Sequence, residues 1–286
     1  IKFSVGVGYN NVAITDRAFQ IQYQDSTEYT TEESSLGAYT ISGGYQLRKE
    51  LSVGIGLHLY RGNNTYSSQT YVPSGSNSTY EIDSDYSGVG LTVGILWAPT
   101  DYLRTGLAFK TPKYLDVDET YNSSIRGEVY NWHGNYQIQS PPEFRLGQSI
   151  NMGPVLVSGS LIWKDWANSR MSTDIPGENG LPIDIQVNYD IREQFTSVLE
   201  YAVGGEVLIP GINSKIRTGI HHIPGYREDG SVSDKTVFSG GASIVLAQQF
   251  KIDWSVNRTN WEEDYNEIES AEITNTWSTV NFSYRF

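Results

Sequence analysis

The sequence predicts an all-β protein: a transmembrane, antiparallel, up-and-down β-barrel with about twelve strands visible in its 286 residues. Three observations lead there. Large apolar residues recur at every second position through most of the chain. Short and long connections between these stretches alternate. The face opposite the apolar one is small and sparsely charged, where a soluble sandwich would present charge to water.

The first ten residues set the pattern. Ile1, Phe3, Val5, Val7 and Tyr9 share one face, and Lys2, Ser4, Gly6, Gly8 and Asn10 the other. Period two means strand, because successive side chains point to opposite faces. Continued parity at Phe19, Ile21 and Tyr23 predicts one very long first strand. The alternation returns at 39–47, 51–59, 89–97, 103–109, 144–150, 155–163, 199–209, 216–220, 238–246 and 250–256, and closes in "VNFSYRF", residues 280–286. Short turns read as "RKE", "APTD", "NMGP", "PGIN" and "AQQ". Long polar connections are expected over 25–35, 61–85, 111–135, 165–190, 223–235 and 258–273. In an up-and-down barrel, that alternation puts every short turn at one end and every long loop at the other. The terminal aromatic resembles the C-terminal signature of bacterial outer-membrane proteins. The expected location is thus the bacterial outer membrane, crossed many times by one domain over residues 1–286.

Composition agrees. Tyr (20), Phe (9) and Trp (7) are plentiful, as interfacial girdles need. Hydrophobic content is 38%, low for a large dry core. No run approaches the roughly 18–20 apolar residues of a membrane helix. A net charge of −13 argues against a nucleic-acid partner. The lack of cysteine removes disulfides, thiolate metal sites and cysteine catalysis.

If the apolar set faces lipid, the residues between face a lumen. These include Arg104, Lys110, Glu143, Arg145, Lys164, Glu200, Glu206, Lys215, Arg217, Lys251, Asp253 and Arg285. Counting outward from "PGIN" puts Glu206 opposite Arg217, which predicts an ion pair across two strands. Inward Gly and Ser at 4, 6, 8, 42, 44, 52, 54, 56, 90, 94, 147, 158 and 160 leave room for water, a ligand or a plug. Much of the acid excess lies in the long connections, at Glu28, Glu32, Glu33, Glu262, Glu263, Asp264, Glu267 and Glu269. It reads as a solvated rim, and no metal site is expected.

Catalysis lacks its signatures. HExxH, GxSxG and the phosphate-binding loop are missing, and no histidine stretch carries a His-x-Ser or Asp-His pair. The tandem His221-His222 divides between the two faces of a strand, so the two rings cannot ligate one metal. The expectation is a protein without enzymatic activity or cofactor.

Four stretches carry a family resemblance: "GVGLTVGILWAPTDYLRTGLAFKTP" (88–112), "PPEFRLGQSINMGPVLVSGSLIWKDWAN" (141–168), "YAVGGEVLIPGINSKIRTGIHHIPG" (201–225) and the terminal "FSYRF". Their order is similar to that of the long-chain fatty-acid transporters, the FadL/TodX group of outer-membrane hydrocarbon transporters. The resemblance implies a 14-stranded monomeric barrel with an N-terminal hatch plugging the lumen. A hydrophobic substrate would bind near the extracellular side, pass through a pocket and leave sideways. The chain departs in lacking the hatch with its Asn-Pro-Ala-type segment, so a hatch and two strands are expected to precede Ile1. Trp166, of the Asp165-Trp166 pair, and the upper-lumen aromatics Tyr60 and Trp132 are the candidate ligand contacts. An interfacial anchor is the other reading of Trp166. The implied partners are a hydrophobic small molecule and outer-membrane lipid. Two alternatives stay open: a protein-binding scaffold resembling the PorV proteins of type IX secretion, and a 12-stranded autotransporter translocator.

Overall fold

The computed structural model describes residues 2–73, 75–177, 180–246, 250–264 and 270–284. The strands are β1 (Phe3–Gln22), β2 (Thr27–Arg48), β3 (Leu51–Tyr71), β4 (Ser78–Trp97), β5 (Leu103–Lys110), β6 (Tyr114–Ile125), β7 (Glu128–Gln139), β8 (Glu143–Met152), β9 (Val155–Asp165), β10 (Arg170–Ser172), β11 (Ser197–Ile209), β12 (Ser214–Ile223), β13 (Lys235–Leu246), β14 (Phe250–Asp264) and β15 (Ser270–Tyr284). The main path is β1-β2-β3-β4-β5-β8-β9-β11-β12-β13-β14-β15, a run of twelve, with β6, β7 and β10 on a branch that leaves it at β4. Among the described residues, no helix is long and apolar enough to cross a membrane.

Short turns sit at one end. Positive φ at Gly153, Gly211 and Asn213 lets "NMGP" and "PGIN" reverse the chain within a few residues. The "AQQ" turn, residues 247–249, lies outside the described residues, as do Glu267, Glu269 and Arg285.

The long connections differ from expectation. Most of 25–35, 61–85 and 111–135 is strand, and the β6–β7 hairpin closes on Arg126-Gly127, both at positive φ. Thr, Tyr, Ser and Asn alternate there without a lipid-facing apolar set. Periodicity of apolar residues misses such stretches, although Thr and Tyr favour strands. The connection after β9 is also structured. It holds a 3-10 turn at Trp166–Asn168, strand β10 and helix α1 (Asp184–Gln194). Asp184 in the first turn and Arg192 in the last suit the helix dipole.

The long first strand forms, but its parity does not persist. Asn11 pairs with Gly37 and Ala13 with Leu36, so Val12 is an extra residue, a β-bulge. One extra residue turns every later side chain to the other face. Phe3 to Tyr9 point outward, whereas Phe19 and Ile21 point inward, opposite Thr30, which is buried, and Glu28. The same reversal occurs between β5 and β6, where Lys110 pairs with Thr92 but Tyr114 with Val89. Partners β8 and β7 reverse with them, at the Pro112 and Pro141 break.

The wall therefore has two storeys. In the lower, outward rows are apolar: Val5, then across Gly43 Ile55, Val93, Phe109, Phe144, Trp163 and Leu199 lie along one line of cross-strand neighbours. Its aromatics touch at the upper edge, with ring centroids 4.7 Å apart for Phe109–Phe144 and 5.5 Å for Phe144–Trp163. This is the lipid-facing band. In the upper storey, a collar above the membrane, outward rows are polar, such as Ser35, Asn63, Asp85, Asp118 and Asn135.

Candidate functional site

The lower lumen is lined by small residues and crossed by two charged belts. The upper belt begins where the His58 ring bridges three strands, Nδ1 at 2.9 Å from Thr40 Oγ1 and Nε2 at 2.8 Å from Thr92 Oγ1. It continues through Glu143, which accepts from Arg145 Nη2 at 2.5 Å and faces Lys110 at 3.6 Å. Glu200 then receives Lys164, and His221 Nε2 stands 3.2 Å from its other oxygen. Both carboxylates are buried, and each is paired, as burial of charge demands.

The lower belt lies near the short turns. Glu206 accepts from Lys215 Nζ and from Arg217 Nε, each at 2.6 Å, and Arg217 Nη1 also donates to Asp253 at 2.9 Å. Lys251 completes the row with Asp253 at 2.7 Å. Between the belts lies a cavity of about 770 Å³ whose lining includes Gly106, Gly147, Ser158, Gly204 and Gly219.

Above the upper belt, the inner face changes character. One row of cross-strand neighbours reads Arg17, Glu32, Tyr66, Ile82, Tyr121 and Trp132, and another Ala13, Leu36, Gly62, Tyr86, Val117 and Tyr136. Tyr80 contacts Tyr66 and Tyr121 edge to face, at 5.6 and 5.0 Å. Ser84 Oγ and Tyr136 Oη both donate to Glu119, at 3.2 and 2.9 Å. Burial first, and then the bond to Glu119, push the Tyr136 phenol well above the ordinary tyrosine range.

The candidate ligand contacts fall in three places. Tyr60 is 1% exposed. Its ring lies against Gly90, with the Lys113 ammonium 5.7 Å from its centroid, so it presents almost no surface. It marks the boundary between the storeys. Trp132 is inward in the collar, half-exposed, and lies across Gly134 beside Ile175. Trp166 is remote from both. It ends a stack with Tyr226 (4.6 Å) and Phe195 (5.6 Å from Tyr226), and the Arg227 guanidinium covers Phe195. That stack pins the connections after β9 and β12 together. The collar tyrosines 66, 80, 86, 121 and 136 were not singled out from sequence. Their signal was a change of phase: aromatics at even positions 60, 66, 80 and 86, beside odd-numbered apolar residues nearer the short turns. Among the described residues, no three His, Cys, Asp or Glu side chains could hold a metal ion.

A sheet that turns apolar side chains outward over one band and keeps polar groups within is the wall of a membrane-spanning barrel. The chain belongs to the outer membrane protein transport family (OMPP1/FadL/TodX), whose model matches residues 2–285. It is thus an outer-membrane transport protein. No curated protein sequence matches it. Among solved structures, a Pseudomonas aeruginosa FadL homologue aligns with TM-score 0.67 at 14% identity over 99% of this chain and 74% of its own. The Ralstonia pickettii toluene transporter TbuX aligns at 0.62 and 12%, over 100% and 88%. The CymD monoaromatic hydrocarbon channel aligns at 0.63 and 13%, over 100% and 87%. At these identities, the likeness is one of fold.

Proposed function

We propose that the chain takes up hydrophobic small molecules passively, with the inner face of the collar as the surface they meet first. One observation carries this reading: the reversal of polarity at the Tyr60 level. A collar standing in water has no physical need to place Tyr66, Tyr80, Ile82, Val117, Tyr121 and Trp132 inside and aspartates outside, unless apolar solutes are to be drawn inward. Rings meeting edge to face leave faces and edges for a further aromatic guest. Monoaromatic hydrocarbons, the cargo named for the CymD channel, and long-chain fatty acids, which the family resemblance implies, are the two classes to try. Trp132 is the candidate contact that borders this surface. Transport needs no bond to be made or broken, so the reading assigns no catalytic residue and no cofactor. It also needs no protein partner, unlike the scaffold alternative.

The test is uptake by liposomes reconstituted with the protein, with toluene and a long-chain fatty acid as probes and swelling in small sugars as control. Uptake without swelling supports the reading. Swelling alone would make the barrel an open polar pore, and neither signal would favour the scaffold. Replacing Tyr80 and Tyr121 together by Ser should reduce uptake several-fold.

A further inference from the structure

We propose that the outer face of the collar holds the headgroup of a membrane lipid that carries a phosphate and a primary ammonium, as phosphatidylethanolamine does. The uppermost apolar row on this side of the wall is Leu59, Val89 and Tyr114, exposed direct neighbours on β3, β4 and β6. The next outward row up is Arg61, Ser87, Asp116 and Gln137, and the one above it Asn63, Asp85, Asp118 and Asn135. A cavity of about 600 Å³ opens over these two rows. Its far wall is the segment after β10, where Thr173 Oγ1 donates to the Asn135 carbonyl at 3.0 Å and Asp174 reaches the rim. Asn188 of α1 clamps that segment through both backbone groups of Met171, at 2.8 and 2.7 Å. The cavity is thus built before a ligand arrives.

Its charges suit a dipole. Among the described residues, Arg61 is the one Lys or Arg on the outer faces of the collar strands β1–β4, β6 and β7. It shares the cavity with Asp85, Asp116, Asp118 and Asp174, yet none of these carboxylates is within salt-bridge distance of it. Asp85 has no partner either, and it faces Asp118 directly across two strands, where like charges repel. Asp116 accepts from Gln137 Nε2 at 2.8 Å, and His133 Nδ1 is 3.6 Å from Asp118. A guanidinium and facing carboxylates that share a pocket without closing on each other leave both ends of a phosphate–ammonium headgroup to be bound. Arg61 forks onto the phosphate oxygens, and the ammonium donates to Asp85 and Asp118 and relieves their repulsion. Position agrees with charge: acyl chains lying against Leu59, Val89 and Tyr114 put their headgroup one row higher, at Arg61. The cavity faces outward, so nothing that fills the lumen touches it.

The experiment uses the full chain in detergent micelles, given phosphatidylethanolamine, phosphatidylcholine and phosphatidylglycerol in equal amounts and followed by native mass spectrometry. Phosphatidylethanolamine should be retained about tenfold over the other two, the range of one hydrogen bond to a charged group. Phosphatidylcholine has no N–H to donate, and phosphatidylglycerol has no cation. Asp85→Asn with Asp118→Asn should erase the preference, and Arg61→Gln should weaken all three lipids alike. Glu81→Gln, higher on the same outer face, should change nothing. Equal retention of the three lipids, or greater retention of phosphatidylglycerol, would overturn the proposal. So would a preference that survives the paired aspartate change, an Arg61→Gln without effect, or an equal loss in Glu81→Gln. Unchanged heat-dependent gel mobility shows that the variants fold, and Asp85→Asn alone is the second variant if the pair does not.

Discussion

The two storeys of the wall are built by the same strands and obey opposite rules. Below Tyr60, a residue such as Val93 faces lipid and its neighbour Gly94 faces the lumen. Above it, Asp85 faces out and Tyr86 faces in. The comparison shows that solvent, not secondary structure, decides which face is apolar. A lipid-facing wall must be apolar outside because no water can satisfy a charge there. A wall standing in water is free to be polar outside, and its inner face is then open to function.

The sharpest way to break this comparison is to place the same charge on equivalent outer faces. Val93 lies midway along the outward run from Val89 to Trp97, so Val93→Arg should cost about 2–4 kcal/mol. Asp118→Arg in the collar should stay within about 0.5 kcal/mol of neutral, since Asp85 stands directly opposite. Urea titration of tryptophan fluorescence in liposomes measures both, and equal losses would erase the distinction between storeys. Deleting Val12 tests the switch itself. It should turn Phe19 and Ile21 out into water and cost about 1–3 kcal/mol. An unchanged unfolding midpoint would mean that the collar at β1 tolerates either phase. Glu200→Ala probes the boundary belt, leaving Lys164 and His221 without their carboxylate. About 2 kcal/mol should be lost, less than for a fully buried pair because the Lys164 side chain keeps 20% of its surface exposed.

Tyr136→Phe is the smallest, at about 1 kcal/mol for one hydrogen bond. It also has a pH signature. The folded-state pKa of this phenol is raised, so its stabilisation is full below pH about 10 and is lost as pH rises through the higher folded value. Phenolate absorbance should show Tyr136 among the last tyrosines to ionise, and removing it should flatten the alkaline limb of the stability curve.

Much of the lower storey was legible in the sequence. Lipid imposes a strict alternation, so Leu51 to Leu59 and Val89 to Trp97 could be read one residue at a time. The register of Glu206 against Arg217 followed from counting outward from a tight turn. The collar was harder. Ser, Thr and Asn alternate there with little contrast, and 61–85 looked like a loop although all but its tip is strand. The bulge at Val12 was invisible for a different reason: apolar residues keep odd numbers on both sides of it, while the face they occupy changes. Helix α1 has too few apolar residues in its 11 to show a period. Of the aromatic candidates, Trp166 has its stacking partners, Tyr226 and Phe195, far off in sequence, which no local pattern encodes.

The single unpaired residue at Val12 also works as a length gauge. A strand advances about 3.3 Å per residue, so moving that insertion two positions along β1 would shift the oil–water boundary by about 5 Å in a strand tilted near 40°. Nothing else in the strand would need to change. In β1 the boundary could thus follow a thicker or thinner bilayer by sliding one residue, whereas β3 and β4, which keep one parity throughout, would need new side chains.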